Sequence, residues 1–219
     1  HDFTDEISGM TAKEQLDAIY KNTSLMDEIY VRAVPSVLKA LNKNNIIHLK
    51  PEDIKDQKEL EENFERRIMP LLTRMVLDGK HPFPYISNNS VFCGVKLRTK
   101  NDKERTGLVL FPENIDMVIF LENKDNQIEY ILIEELVLYF INKLFEKYTI
   151  LESGIFKIIR NADLILDDDA ISDDADYKQA MLDILKKRRW LMPVRLQTNL
   201  EENSALVKKI ASKLSIKTN

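Results

Sequence analysis

Four consecutive cations, Lys186-Lys187-Arg188-Arg189, and a histidine set between a lysine and a proline, His81, are the residues of this chain best suited to phosphate chemistry. Every phosphate unit of a polyanion carries charge. Arginine forks grip its oxygens two at a time, and lysines serve as point charges. A histidine that accepts a phosphoryl group needs such cations converging on the phosphate oxygens, and nothing at fixed spacing around His81 announces that convergence. The run His81-Pro82-Phe83-Pro84 is extended and stiff, which suits either a residue presented to another surface or a buried turn. His1 is terminal. His48 lies among Ile46, Ile47 and Leu49, as a packed strand histidine does. The basic run ends an expected helix, where cations favour the dipole whatever else they bind. Arg66-Arg67, and Arg98 with Arg105, are weaker candidates of the same kind.

Other chemistries find less support. Asp163, Asp167, Asp168, Asp169, Asp173, Asp174 and Asp176 form an acidic block without the spacing or central glycine of a calcium loop, so a solvated loop capping the next helix is expected. No metal site is expected. The 5 glycines form neither G-x-G-x-x-G nor G-x-x-x-x-G-K, so no self-contained nucleotide cradle of either type is expected. Trp190 beside Arg189 reads as packing at a helix end.

The elements that must position these residues follow from periodicity. Thr11 and Glu14 form a capping-box pattern. Beyond it, Leu16, Ile19, Thr23, Met26, Tyr30, Ala33, Val37 and Leu41 lay one largely apolar stripe along a long helix containing Pro35, which is expected to kink it. Asn42 to Asn45 break that helix, and 46–49 reads as a short strand. Pro51 to Asp53 open a second helix through about Met69, with Leu60, Phe64 and Ile68 on one face. Val91, Cys93, Val95 and Leu97 alternate with Phe92, Lys96 and Arg98, a strand with unlike faces whose hairpin partner is 107–111. Further strands are expected at 117–121, 130–133, 150–159 and 194–198, with helices at 134–147, 174–189 and 201–214. The fold class is therefore α+β, a mixed or antiparallel sheet with packed helices, preceded by one long helix. The expected division is 1–45 for that helix and 46–219 for the domain.

Lys+Arg number 32 against Asp+Glu 36, a net charge of -4 that argues against a general nucleic-acid binder. Local potential still leaves room for a polyanion beside the basic run. No apolar run reaches the length of a transmembrane helix, no basic-then-apolar leader precedes the first helix, and Cys93 has no internal disulfide partner, so the cytoplasm is the expected compartment.

Leu71-Leu72-Thr73, His81-Pro82-Phe83-Pro84, Arg160-Asn161-Ala162-Asp163-Leu164, Lys186 to Arg189 and Pro193-Val194-Arg195-Leu196, taken in order, resemble the middle, or head, domain of bacterial polyphosphate kinase. Residues 11–44 resemble the last helix of that family's N-terminal helical domain, which accounts for an apolar stripe in want of partners. The chain departs from the family pattern at Glu146-Lys147, where Pro-Gly is frequent, at Trp190-Leu191, where a glycine is common, and at Gln197, where a glutamate usually follows V-R-L.

The resemblance implies a non-catalytic segment of an enzyme that moves the ATP γ-phosphate, with Mg2+, through a phosphohistidine in a later domain to inorganic polyphosphate. It implies as partners the catalytic domains of the same enzyme, inorganic polyphosphate and a second copy in a homodimer. Lys186, Lys187, Arg188 and Arg189 are then the polyphosphate contacts, and His81 and Phe83 the contacts between domains or subunits. No nucleic acid or transmembrane segment is expected. Two other readings follow from the same residues: a structural, dimerising module without anion binding, and an independent phosphotransfer enzyme using His81.

Overall fold

The structure is a computed structural model and describes residues 4–5, 7–77, 83–121, 126–160, 192–201 and 203–216. In chain order its elements are α1 (Ala12–Lys43), β1 (Ile46–His48), α2 (Gln57–Asn63), β2 (Thr73–Leu77), β3 (Val91–Arg98), β4 (Glu104–Leu110), β5 (Val118–Phe120), β6 (Ile128–Leu132), α3 (Ile133–Tyr139), α4 (Ile141–Leu144), β7 (Thr149–Arg160), β8 (Pro193–Thr198) and α5 (Ala205–Lys213). This is an α+β fold. The expected helix at 174–189 and the acidic block lie outside the described residues.

The chain divides into two compact units, His1–Leu49 with Phe120–Tyr130, and Lys50–Ile119 with Ile131–Asn219. In the first, the Glu14 N–H donates to Thr11 Oγ1 at 3.3 Å, while Glu14 Oε2 accepts from the Thr11 N–H at 2.8 Å. This reciprocal box satisfies two of the amides a helix start leaves open. The Thr11 backbone N–H, and after it the Thr11 hydroxyl, hold the Glu14 carboxyl below the usual glutamate range. A carboxylate so lowered contributes fully above its ordinary pKa, and the contribution is lost as pH falls through the lowered value. The helix stops at Asn44, and Asn45 turns the chain in the left-handed region at φ 60. Along α1 the apolar side chains stay out: Met26 is 65% exposed, Tyr30 69% and Val37 56%. β1 pairs in parallel with residues 128–130 of β6, the His48 ring stacks on the Tyr130 ring, and β5 flanks β6 on the other side.

The second unit is built on a five-stranded sheet in the order β2-β4-β3-β7-β8, every adjacent pair antiparallel. β3 is central, and its residues 92–95 are buried on both faces. Cys93, Val95 and Leu97 lie on the face that α3 packs against. Burial there pushes the Cys93 thiol pKa upward, with the Glu134 charge adding to the shift. Phe92 lies on the opposite face, where α5 brings Leu206, Val207 and Ile210 onto Phe92, Leu108, Phe156 and Ile158. The unlike faces expected of this strand appear only beyond Gly94, because α5 covers the half that holds Phe92.

The second helix differs from its expected form. Pro51–Asp53 make a 3-10 turn, Ile54 is extended at ψ 128, and Asp56 starts the chain again as an N-cap that accepts from the Glu59 N–H at 2.9 Å. α2 then runs into a π turn over Phe64–Ile68 and a 3-10 turn at Met69–Leu71. The wider turn begins at Phe64, which is fully buried and stacks on Phe140 at 4.9 Å. Lys143 of α4 pairs with both Glu61 and Glu65 across this turn, and those two bonds, Glu61's the larger, raise its pKa.

Candidate functional site

Register places four residues in one row across the sheet: Leu77 opposite Thr106, Thr106 opposite Lys96, and Lys96 opposite Glu152. Paired residues of an antiparallel sheet share a face, and this is the face of α5. At the row the sheet runs past the hydrophobic contacts of α5 and leaves a cleft of about 320 Å³. Leu77 and Leu206 make its apolar floor. Lys96, Thr106, Lys209 and Lys213 stand around it, with Glu104 and Arg105 at the β4 end. Lys209 and Lys213 are four apart on one helix and therefore project from the same side.

Charges in the cleft are unequal. Glu104 is the one carboxylate among the described residues that line it, and its Oε1 meets Lys96 Nζ at 3.0 Å. Arg105 pairs in register with Leu97, so its side chain starts on the far face, and its Nη1 donates to the Glu104 carbonyl oxygen at 3.0 Å. Glu152 is engaged at the start of α5, where its Oε2 accepts from the Leu206 N–H at 3.3 Å beside the cap made by Ser204. The arrangement offers ammonium groups and a hydroxyl to an anion and gives a cation one carboxylate. Among the described residues, no three His, Cys, Asp or Glu side chains gather closely enough to hold a metal ion.

The residues singled out from the sequence fall in different places. Lys186, Lys187, Arg188, Arg189 and His81 lie outside the described residues. Phe83 is half-buried, and its ring meets Phe92 edge-on at 6.5 Å, so it packs against its own domain's core. Arg66 and Arg67 are exposed on the π turn. Arg98 and Arg105 do not converge: Arg98 pairs in register with Glu104 and makes an ion pair with Asp102 at 3.4 Å, while Arg105 starts from the other face.

The segment that follows His81-Pro82-Phe83-Pro84 meets the sheet at Arg160, the last residue of β7. This side chain is 8% exposed, and its Nε donates to the Ile86 carbonyl oxygen at 2.8 Å while the guanidinium lies 4.7 Å from the Tyr85 ring centroid. Its backbone N–H donates to Asn88 Oδ1 at 2.9 Å. Arg160 thus fastens the segment after Phe83-Pro84 to the sheet. Arg160→Met is expected to lower unfolding stability by about 2 kcal/mol, from a charged hydrogen bond and a stacked cation lost together; chemical denaturation measures it.

Sequence reading missed the cleft because its lysines come from elements more than a hundred residues apart. The sign it left was the i, i+4 pair Lys209 and Lys213, three and seven residues beyond Leu206 and so along the same edge of the helix.

The antiparallel sheet with α5 on one face and α3 on the other defines an α+β domain. Residues 55–219 match the family model described as the polyphosphate kinase middle domain, and the chain belongs to the polyphosphate kinase family. It is 31% identical over 198 residues to polyphosphate kinase of Halalkalibacterium halodurans, covering 87% of this chain and 27% of that protein. Against polyphosphate kinase of Staphylococcus epidermidis it is 36% identical over 167 residues, 75% of this chain and 22% of that one. The crystal structure of polyphosphate kinase from Porphyromonas gingivalis superposes with a TM-score of 0.61 at 23% identity, over 79% of this chain and 28% of that chain, a likeness of fold. The chain thus spans about a quarter of the length of these relatives. Among the described residues no helix is long and apolar enough to cross a membrane.

Proposed function

We propose that this chain is the non-catalytic middle segment of a cytoplasmic polyphosphate kinase, preceded by the last helix of its N-terminal domain. In the enzyme so assembled, a histidine outside this segment takes the γ-phosphate of ATP, with Mg2+, and passes it to inorganic polyphosphate. The segment positions the catalytic domains, supports a homodimer, and lines the polyphosphate path with Lys186, Lys187, Arg188 and Arg189. The match to the family's middle domain over residues 55–219 is the observation that carries this reading.

Two further observations support it. The exposed apolar side chains of α1, Met26, Tyr30 and Val37 among them, are those of a helix that belongs in a larger helical domain. The segment 83–88 is tied down by Phe92 and Arg160, as a surface presented to a neighbouring domain has to be. His81 takes the contact role, together with the outer side of the half-buried Phe83.

Calorimetry with medium-length polyphosphate at two salt concentrations tests the polyanion role. The chain is expected to bind, more weakly at the higher salt because binding releases counterions. A variant with Lys186, Lys187, Arg188 and Arg189 changed to glutamine is expected to lose most of the affinity. A well-folded chain that binds nothing leaves a structural and dimerising module.

A further inference from the structure

We infer that the cleft between the β3–β4 end of the sheet and α5 is a binding site for a short inorganic oligophosphate, held by Lys96, Lys209 and Lys213 with the Thr106 hydroxyl. The inference goes beyond the proposed function, since it rests on residues outside the basic run and on geometry the family match does not supply.

Three features of the cleft carry it. The first is charge. Lys209 and Lys213 stand on one helix face, where like charges four apart repel. The lining carboxylate, Glu104, is engaged with Lys96. Among the described residues no carboxylate neutralises the two α5 lysines, so a polyvalent anion between α5 and Lys96 removes a repulsion that the fold otherwise carries. The second is shape. Leu77 and Leu206 close the bottom and Thr106 adds a hydroxyl donor, so the lysines border a concavity with a floor. Its volume of about 320 Å³ is at the small end of the range for ligand sites. The third is what the lining lacks. No aromatic side chain is found among the described residues around the cleft, so it offers no platform on which a nucleobase stacks. Ammonium groups around a small bare cleft select a compact, highly charged anion over a nucleotide.

Glu104 gives the site a sign that a chance patch of surface lysines does not have. Its carboxylate holds Lys96 from the rim and repels an entering anion. Removing that charge while keeping the side chain's shape, Glu104→Gln, therefore tightens anion binding. Removing the ammonium groups, Lys209→Gln with Lys213→Gln, weakens it. Both α5 lysines and Glu104 are exposed, so these variants keep the core intact.

The test is titration of the folded chain with inorganic tripolyphosphate by calorimetry, on the native sequence, Glu104→Gln, the Lys209→Gln/Lys213→Gln pair, and the variant with Lys186 to Arg189 neutralised. Circular dichroism of each checks the fold. The expected results are about tenfold weaker binding for the α5 pair, equivalent to the loss of roughly one charge-assisted contact, and tighter binding for Glu104→Gln. If neither cleft variant changes the affinity while neutralising Lys186 to Arg189 abolishes it, the cleft assignment falls and the proposed polyphosphate path stands. Loss in the α5 pair with retention in the basic-run variant upholds the cleft as a site separate from Lys186 to Arg189. No binding by any folded form overturns both.

Discussion

Phe156→Ala is expected to lower the stability of the sheet domain by about 3–5 kcal/mol, the range for emptying a fully buried aromatic site. The Phe156 side chain is wholly inaccessible to solvent and stacks on Phe92 at 5.5 Å with 18° between the rings. Phe92 in turn receives the edge of Phe83, so the three rings form one column under α5. The hole left by alanine cannot be filled from the neighbouring strands, whose positions are set by pairing on both sides. Since domains of this size are stable by only about 5–15 kcal/mol, the variant is expected to unfold at far lower urea concentration. A midpoint within the error of the native chain's would show that the column does not carry the core.

Gly94→Ala is the second large effect, and it has the opposite physical cause. A Cβ built at Gly94 lies 2.6 Å from Ile210 Cδ1 and 2.6 Å from Phe156 Cε2. Ile210 can swing its terminal methyl aside, whereas the Phe156 ring, pinned between Phe92 and its own strand, cannot. Overpacking of this kind costs about 1–3 kcal/mol, less the few tenths that alanine recovers from the unfolded chain. The two substitutions share one space, so they must couple. In a Phe156→Ala background the added methyl enters the vacated volume, and the double variant is expected to be more stable than the sum of the single effects requires. Denaturation of the four proteins of this cycle measures the coupling. Strict additivity would mean that Gly94 is required for its backbone and not for the approach of Phe156.

The sequence disclosed much of the fold where local chemistry decides it. The Thr11–Glu14 box and the Asn44–Asn45 stop bound α1 because both act within one turn. The polar turn with Asp102 at φ 57 sets the β3–β4 hairpin for the same reason. Three features escaped because distant partners decide them. Thr73–Leu77 alternates too briefly to stand out, and becomes β2 only because β4 offers it an edge. The long second helix breaks at Ile54 and widens at Phe64, where a ring has to reach Phe140. The helix expected at 134–147 divides at Phe140, whose backbone at φ -96 and ψ 21 leaves the helix with no glycine or proline to warn of it.

For the candidate site the contrast is sharper. The fold family was legible from motif order, but the cleft was not, and the basic run and His81 lie outside the described residues. Lys96 looks like one polar position of an alternating strand, and Lys209 and Lys213 like a solvated helix face. They come to line one cleft only when β7 and β8 bring α5 back over the sheet, with Leu206 in the same core cluster as Leu108 and Phe156.

The claim that this chain positions chemistry performed elsewhere is tested most directly by incubating it with γ-radiolabelled ATP and Mg2+ and searching for acid-labile phosphate. The proposed function predicts no label on the folded chain, because it places the histidine that carries phosphate outside this segment. Acid-labile label recovered on a peptide containing His81 or His48, and lost when that histidine is replaced by glutamine, would contradict it and make this segment a phosphotransfer enzyme in its own right.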